Sequence, residues 1–276
     1  MVIKKFLQNK LSIFGLTVLI LLIITSIFAP LLTPYDRDKT DLPNKNLPPS
    51  SQHLLGTDSV GRDVLTRLLY AGRVSLSIGL VSTSIATVIG VAMGAIAGFF
   101  GNKVDFLIMR IVDVFMCFPF FVLAICIAAL LGPSIMNIMI IYGILGWTGI
   151  CRMVRAEIMS LREREFIESA RAVGLNSFEI VVKHMLPNVT AIIIVYTTLG
   201  IASGILSEAG LSFLGLGVEL PVPSWGNMLA AAQNLRVLRS HWWLWIPPGI
   251  MVSLTTLSIN FVGDGLRDAF DPKTRL

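Results

Sequence analysis

Glu168-Ser169-Ala170-Arg171-Ala172-Val173-Gly174 stands in a polar stretch of an otherwise apolar chain, and nine residues after Gly174 come His184-Met185-Leu186-Pro187. The local chemistry is conformational rather than covalent. Glu168 and Ala170 suit a short helix, Gly174 can take a positive φ and turn the chain, and Ser177 to Met185 suits a second helix with Pro187 just beyond it. Signals for covalent chemistry are missing. There is no H-E-x-x-H run and no Ser or Asp pair stands out; no G-x-x-x-x-G-K-[ST] phosphate loop occurs, so the chain cannot hydrolyse ATP by the phosphate-loop route. His53, His184 and His241 lie far apart in sequence, and Cys117, Cys126 and Cys151 have no C-x-x-C spacing and sit in apolar sequence. The expectation is no metal site, no disulfide and three buried thiols.

Other ionisable residues invite structural or functional readings. Asp58, Arg62 and Asp63 either tie a loop together by ion pairs and helix capping or contact a substrate directly. Asp113 lies three residues from Arg110, the spacing of a local ion pair on a helix. Asp264, Arg267 and Asp268 have the spacing to pair near the end of the chain. Glu208 sits at the end of an apolar run, where a carboxylate is costly. It either faces a polar path or caps a helix broken at Ala209-Gly210, and Gly210, Gly215 and Gly217 are expected to allow close packing or to end that helix.

The elements that position these residues follow from composition. Of 276 residues, 54% are apolar and only 14% are charged, against about 25% charged in an average soluble domain. That argues against a soluble enzyme, a secreted disulfide module and a disordered chain. The 22 Lys and Arg are scattered between apolar runs, which argues against nucleic-acid binding.

A bilayer core needs about 20 apolar residues of helix. Uncharged runs at 11–32, 74–102, 114–151, 185–207 and 240–263 meet that length. The third is too long for one crossing and divides at Gly132-Pro133-Ser134. Six spans put both termini on one side. If that side is the cytoplasm, the inner segments carry 14 basic residues and the outer segments 8, which favours N-in/C-in. Residues 33–73 form an outer loop, irregular in its Pro-rich first half, with Gly61 to Leu69 expected as a short surface helix. On the inner side, Met159, Phe166, Ala170 and Val173 are expected on one face of an amphipathic helix. Trp242, Trp243 and Trp245 suit an interfacial aromatic belt.

The inner motif resembles the EAA loop of ABC-importer permeases, with Ser169 in place of the usual second Ala and His184 where Ile is common. Gly56-Thr57-Asp58-Ser59-Val60-Gly61-Arg62-Asp63 with Gly72-Arg73-Val74-Ser75-Leu76 narrows the resemblance. So do Leu211-Ser212-Phe213-Leu214-Gly215-Leu216-Gly217 with Pro223-Ser224-Trp225-Gly226, and the tail from Asn260 to Asp271-Pro272. Together they resemble the C-type subunit of the dipeptide/oligopeptide/nickel permease family.

That resemblance implies an all-α integral membrane protein of six transmembrane helices, with the type I ABC-importer permease fold and a cytoplasmic coupling helix. Residues 1–73 would be the N-terminal helix and extracytoplasmic loop, and 74–276 a five-helix core with its coupling loop at 157–187. It implies a bacterial cytoplasmic membrane protein that is no enzyme and carries no cofactor, with ATP and Mg on partner subunits. The partners would be a B-type permease in a heterodimer, two ATP-binding subunits and an extracytoplasmic substrate-binding protein. Glu168, Ser169, Ala170, Arg171, Ala172, Gly174, Leu186 and Pro187 would couple the spans to an ATPase. Spans two to six would line half the path, and Asp58, Arg62 and Asp63 lie where the binding protein docks. The cargo would be di- or oligopeptides, with nickel or a chelated metal as the alternative. A stand-alone secondary transporter is a more distant reading, because it would not need the inner motif.

Overall fold

In hydrocarbon every backbone N–H and C=O must be satisfied within the chain, which leaves helices for a sequence of this kind. A computed structural model describes residues 5–270, so Lys4, Lys273, Arg275 and Asp271-Pro272 of the tail motif lie outside the described residues. Among the described residues no strand forms, and one antiparallel bridge joins Thr57 and Asp63. The main helices are α1 (Lys10–Ile27), α2 (Val64–Phe100), α3 (Asn102–Cys117), α4 (Phe120–Leu131), α5 (Ile135–Leu145) and α6 (Trp147–Arg162). They continue with α7 (Glu165–Ala172), α8 (Leu186–Phe213), α9 (Trp225–Leu229) and α10 (Ile246–Phe270). By length and apolar composition five helical stretches can cross a membrane, and six can where the pair α3 and α4, bent by 82°, counts as one broken span.

That bend corrects the expected third span. It begins at Asn102 rather than near Val114 and breaks at Phe118-Pro119. Proline has no N–H to donate and pushes the preceding residue out of the helical region, and Phe118 is extended at φ −98°, ψ 138°. The expected turn at Gly132-Pro133-Ser134 is present, with Gly132 at φ +79°. Gly61 to Leu69 is no separate surface helix. Asp63 caps Val64, its Oδ2 accepting from Thr66 N at 2.8 Å, and α2 runs through residue 73 without a break.

Helix α2 is the centre of the bundle, packed against α1, α5, α6 and α8, while α10 packs on α1 and α8. Arg73 donates to the carbonyls of Ser26 and Ile27 and closes the end of α1. Ser12 Oγ donates to Phe261 O at 2.9 Å, tying α1 to α10. Of the three cysteines only Cys151 is buried; Cys117 and Cys126 are exposed on α3 and α4. Apolar sequence does not imply a protein-buried side chain when the outside is lipid. Trp243 is likewise no belt residue: it is buried, packs on Gly56 and donates to Thr57 O, sealing the outer loop, while Trp242 stays exposed. Asp264, Arg267 and Asp268 form no ion pair among the described residues.

Candidate functional site

At the inner end, Arg164 leaves α6 in an extended conformation and starts α7. Eight residues are too few for a helix that stands alone. Glu165 and Glu168 in its first turn and Arg171 in its last agree with the helix dipole. The larger support is burial of Ile167 and Ala170 in one cluster with Phe99 of α2, Val154 and Ile158 of α6, Met185 of the return segment and Val189 of α8. Gly174, at φ +87°, ends α7: its N–H reaches Arg171 O at 3.0 Å and Leu175 N reaches Ala170 O at 3.2 Å. These paired bonds satisfy carbonyls that a helix end leaves free. Asn176 Oδ1 then accepts from Glu179 N at 2.9 Å and starts the return segment. Ile180–Met185 is wound as a π-helix, with Leu186 N reaching Val181 O, just before Pro187 in the first turn of α8. Pro187 offers no N–H to the carbonyl four residues earlier, and a wider turn accommodates that gap.

The expected amphipathic face is corrected here. α6 ends at Arg162, so Met159 is on a different helix from Phe166 and Ala170, and Val173 is the residue just past α7. Within the loop Ile167 and Ala170 face inward, while Phe166, Val173 and Phe178 are 42%, 83% and 76% exposed. Around them Glu168, Ser169 and Ala172 are exposed. The Glu168 carboxylate has no ion pair or hydrogen bond among the described residues. Arg171 lies over the Phe99 ring at 5.6 Å rather than against Glu168.

Sequence reasoning missed the ion pairs that brace this end. Asp113 pairs with Arg110 at 3.0 Å, as its spacing suggests, and also with Arg152 of α6. Asp105 takes Arg155 in a two-pronged contact. No local spacing announces partners 39 and 50 residues away.

In the middle of the bundle is a cavity of about 550 Å³. α2 contributes Ser82, Thr83 and Ala86; α4 and α5 contribute Phe120 and Tyr142; Gly146 and α6 contribute Gly146, Gly149 and Ile150; α8 contributes Tyr196, Leu199, Gly200, Ser203, Gly204 and Ser207. Among the described residues no side chain in the lining is charged, and α10 contributes none.

Glu208 is outside that lining. It is wholly buried, and α8 runs unbroken past Ala209-Gly210, so it neither faces the cavity nor caps a broken helix. Its Oε2 accepts from Ser75 Oγ at 3.0 Å and its Oε1 from Ser212 Oγ at 2.7 Å. Those hydroxyls accept from Trp225 N at 3.1 Å and Val218 N at 3.2 Å. Glu208 thus joins α2, α8 and the outer segment that returns through α9. Gly215, at φ +80°, ends α8 with the same paired bonds that end α7: Gly215 N to Ser212 O, Leu216 N to Leu211 O.

At the outer end, Asp58 Oδ2 accepts from Arg62 Nε at 2.7 Å, and its Oδ1 accepts from the backbone of Val60 and Arg62 at 2.9 Å. Asp63 is buried, with His53 Nδ1 2.9 Å from its Oδ1. Arg67, 3% exposed, donates to Arg37 O at 3.0 Å, Pro221 O at 3.1 Å and Asp38 Oδ1 at 3.3 Å. An arginine this buried is tolerable only when its donors are met. Arg67→Met is therefore expected to loosen the outer loop by about 2 kcal/mol; faster proteolysis between residues 33 and 63 in intact membranes checks it.

Comparison with known proteins agrees along the whole chain. Residues 90–276 match the family described as the binding-protein-dependent transport system inner membrane component. Residues 1–49 match the N-terminal TM domain of oligopeptide transport permease C. The chain is 43% identical to the dipeptide transport system permease protein DppC of Alkalihalophilus pseudofirmus, covering 99% of this chain and 89% of that protein. It is 39% identical to DppC of Bacillus subtilis (97% and 83% covered) and 37% identical to the oligopeptide transport system permease protein OppC of the same organism (98% and 88%).

Proposed function

The chain belongs to the family of binding-protein-dependent transport system inner membrane components, and we propose that it forms half of an import path for di- or oligopeptides. As a member it is a multi-pass membrane permease subunit rather than an enzyme, and its family works with separate ATP-binding and substrate-binding proteins. The peptide names of its relatives support peptide over nickel as cargo. The second subunit of the path is a B-type permease, and ATP and Mg bind the partner ATPases, with no cofactor on this chain.

The observation that carries the coupling role is the division of the inner loop into a buried and an exposed face. α7 is too short to hold itself, yet it is seated by Ile167 and Ala170 and closed at its end by Gly174. Phe166, Val173 and Phe178 remain exposed beside Glu168, which has no ion pair among the described residues. Exposed apolar groups next to charge form a surface for a protein partner. The buried face rests on α2, α6 and α8, and the same three helices line the cavity. A displacement of α7 by a closing ATPase is passed to the cavity walls through packed side chains, which shift as a unit because interiors are close-packed. ATP-driven closure opens the path outward, and hydrolysis returns it inward.

Glu168→Lys tests this role. The substitution places the opposite charge on the exposed face without touching the core. It is expected to weaken ATPase docking about tenfold, roughly 1.4 kcal/mol, and to lower peptide uptake at unchanged membrane levels. Unchanged uptake refutes the coupling role. Cargo is tested by uptake of a labelled dipeptide, a longer peptide and radioactive nickel in cells lacking this gene. Loss of peptide uptake, restored by the gene, is expected; loss of nickel uptake alone overturns the peptide reading.

A further inference from the structure

The cavity's chemistry says more than its position. Tyr196, Gly200, Ser203 and Ser207 follow one another at spacings of 4, 3 and 4 residues, so they lie on one stripe of α8. A span facing lipid gains nothing from such a stripe, whereas a span facing a wet path does. The hydroxyls of Ser82 and Tyr142 are committed to their own chain, donating to Ile78 O at 2.7 Å and Ser207 O at 2.6 Å. Those of Tyr196, Ser203 and Ser207 make no hydrogen bond among the described residues, yet they line the cavity. Ser203 and Ser207 are separated by about 6 Å along the helix axis at about 1.5 Å per residue. The same-face repeat of an extended peptide is about 6.6 Å.

We propose that Tyr196, Ser203 and Ser207 form a charge-free contact strip for the main chain of the passing peptide. A hydroxyl both donates and accepts, so the strip meets peptide N–H and C=O groups alike. The cavity lining holds no carboxylate or ammonium group to attract one side-chain charge and repel the other. A fixed charge in a low-dielectric path would hold its counter-ion and slow its release. The strip therefore passes peptides without reading the charge of their side chains. This inference rests on the peptide-import reading above.

The test is Ser203→Cys in the assembled transporter, reconstituted in vesicles, with the parent chain treated in parallel to subtract Cys117, Cys126 and Cys151. Thiol reagents act through the thiolate, which forms only where water reaches it. Ser203→Cys is expected to react with small sulfonate- and ammonium-bearing thiol reagents while the transporter cycles on ATP. The tethered sulfonate should lower uptake of a diglutamate peptide at least tenfold more than that of a dilysine peptide, and the tethered ammonium should do the reverse. No reaction beyond the parent, or equal loss for both cargoes, overturns the strip. Ser203→Asp in the same assay is an independent check, with the same bias expected as for the sulfonate. If unmodified Ser203→Cys and the parent both reach the membrane but import no peptide, the peptide reading fails rather than the strip alone.

Discussion

Gly94→Leu is expected to separate the central pair of helices and to remove most of the protein from the membrane. Gly90, Gly94 and Gly98 recur every fourth residue on α2, and the carbonyls they approach, Trp147, Cys151 and Arg155, recur every fourth residue on α6. A Cβ at the three glycines would stand 2.8, 2.6 and 2.8 Å from those oxygens. The obstruction is backbone on both sides, so no rotamer change relieves it. Between helices in lipid the attraction is close packing itself rather than a hydrophobic gain, and a leucine here removes it along the whole contact. The cost is about 3 kcal/mol or more. The loss would spread, because Phe99, Val154 and Ile158 of the same two helices seat α7. Membrane level by immunoblot and heat resistance of the solubilised complex measure it. Gly149→Leu is the control: a Cβ at Gly149 meets nothing within 4 Å, and the residue lines the cavity. It should keep normal levels while lowering uptake. Normal accumulation of Gly94→Leu would refute the packing account.

Glu208→Ala is expected to be nearly as damaging, for a polar reason. The alanine leaves Ser75 and Ser212 without their buried acceptor, and their hydroxyls hold Trp225 N and Val218 N of the outer segment. An unsatisfied buried polar group costs about 1–3 kcal/mol, and the lost volume adds a cavity, so the total is about 3 kcal/mol. Glu208→Gln keeps the volume, an acceptor for Ser212 and an amide able to donate to Ser75. It should stay near the parent in level and heat resistance, and Ala should fall well below both. If Gln falls as far as Ala, Glu208 acts through its charge rather than as a hydrogen-bond hub.

The amino-acid sequence by itself determined whatever depends on near neighbours or on the length of an apolar run. The crossings, the turn at Gly132, the positive φ at Gly174 and Pro187 at the start of α8 are of this kind. They follow from bilayer thickness and from the backbone preferences of Gly and Pro. The EAA-type spacing was legible for the same reason. The Gly90-Gly94-Gly98 repeat is a four-residue glycine period in the sequence, but the sequence does not show which helix it meets.

Only the tertiary structure decided which side of each helix meets protein. For a soluble helix the apolar stripe marks the core. A span is apolar toward both lipid and protein, so Cys117 and Cys151 look alike in sequence while one is exposed and the other buried. The short inner helix failed in a related way: Phe166 and Ile167 are adjacent apolar residues, and only the position of α2, α6 and α8 selects Ile167 for burial. Glu208 is the extreme case. Its partners come from residues 75 and 212, and through their hydroxyls it reaches residues 218 and 225. Hydrogen bonds act over about 3 Å of space whatever the distance along the chain, so folding had to bring those groups together before the role of Glu208 could be seen.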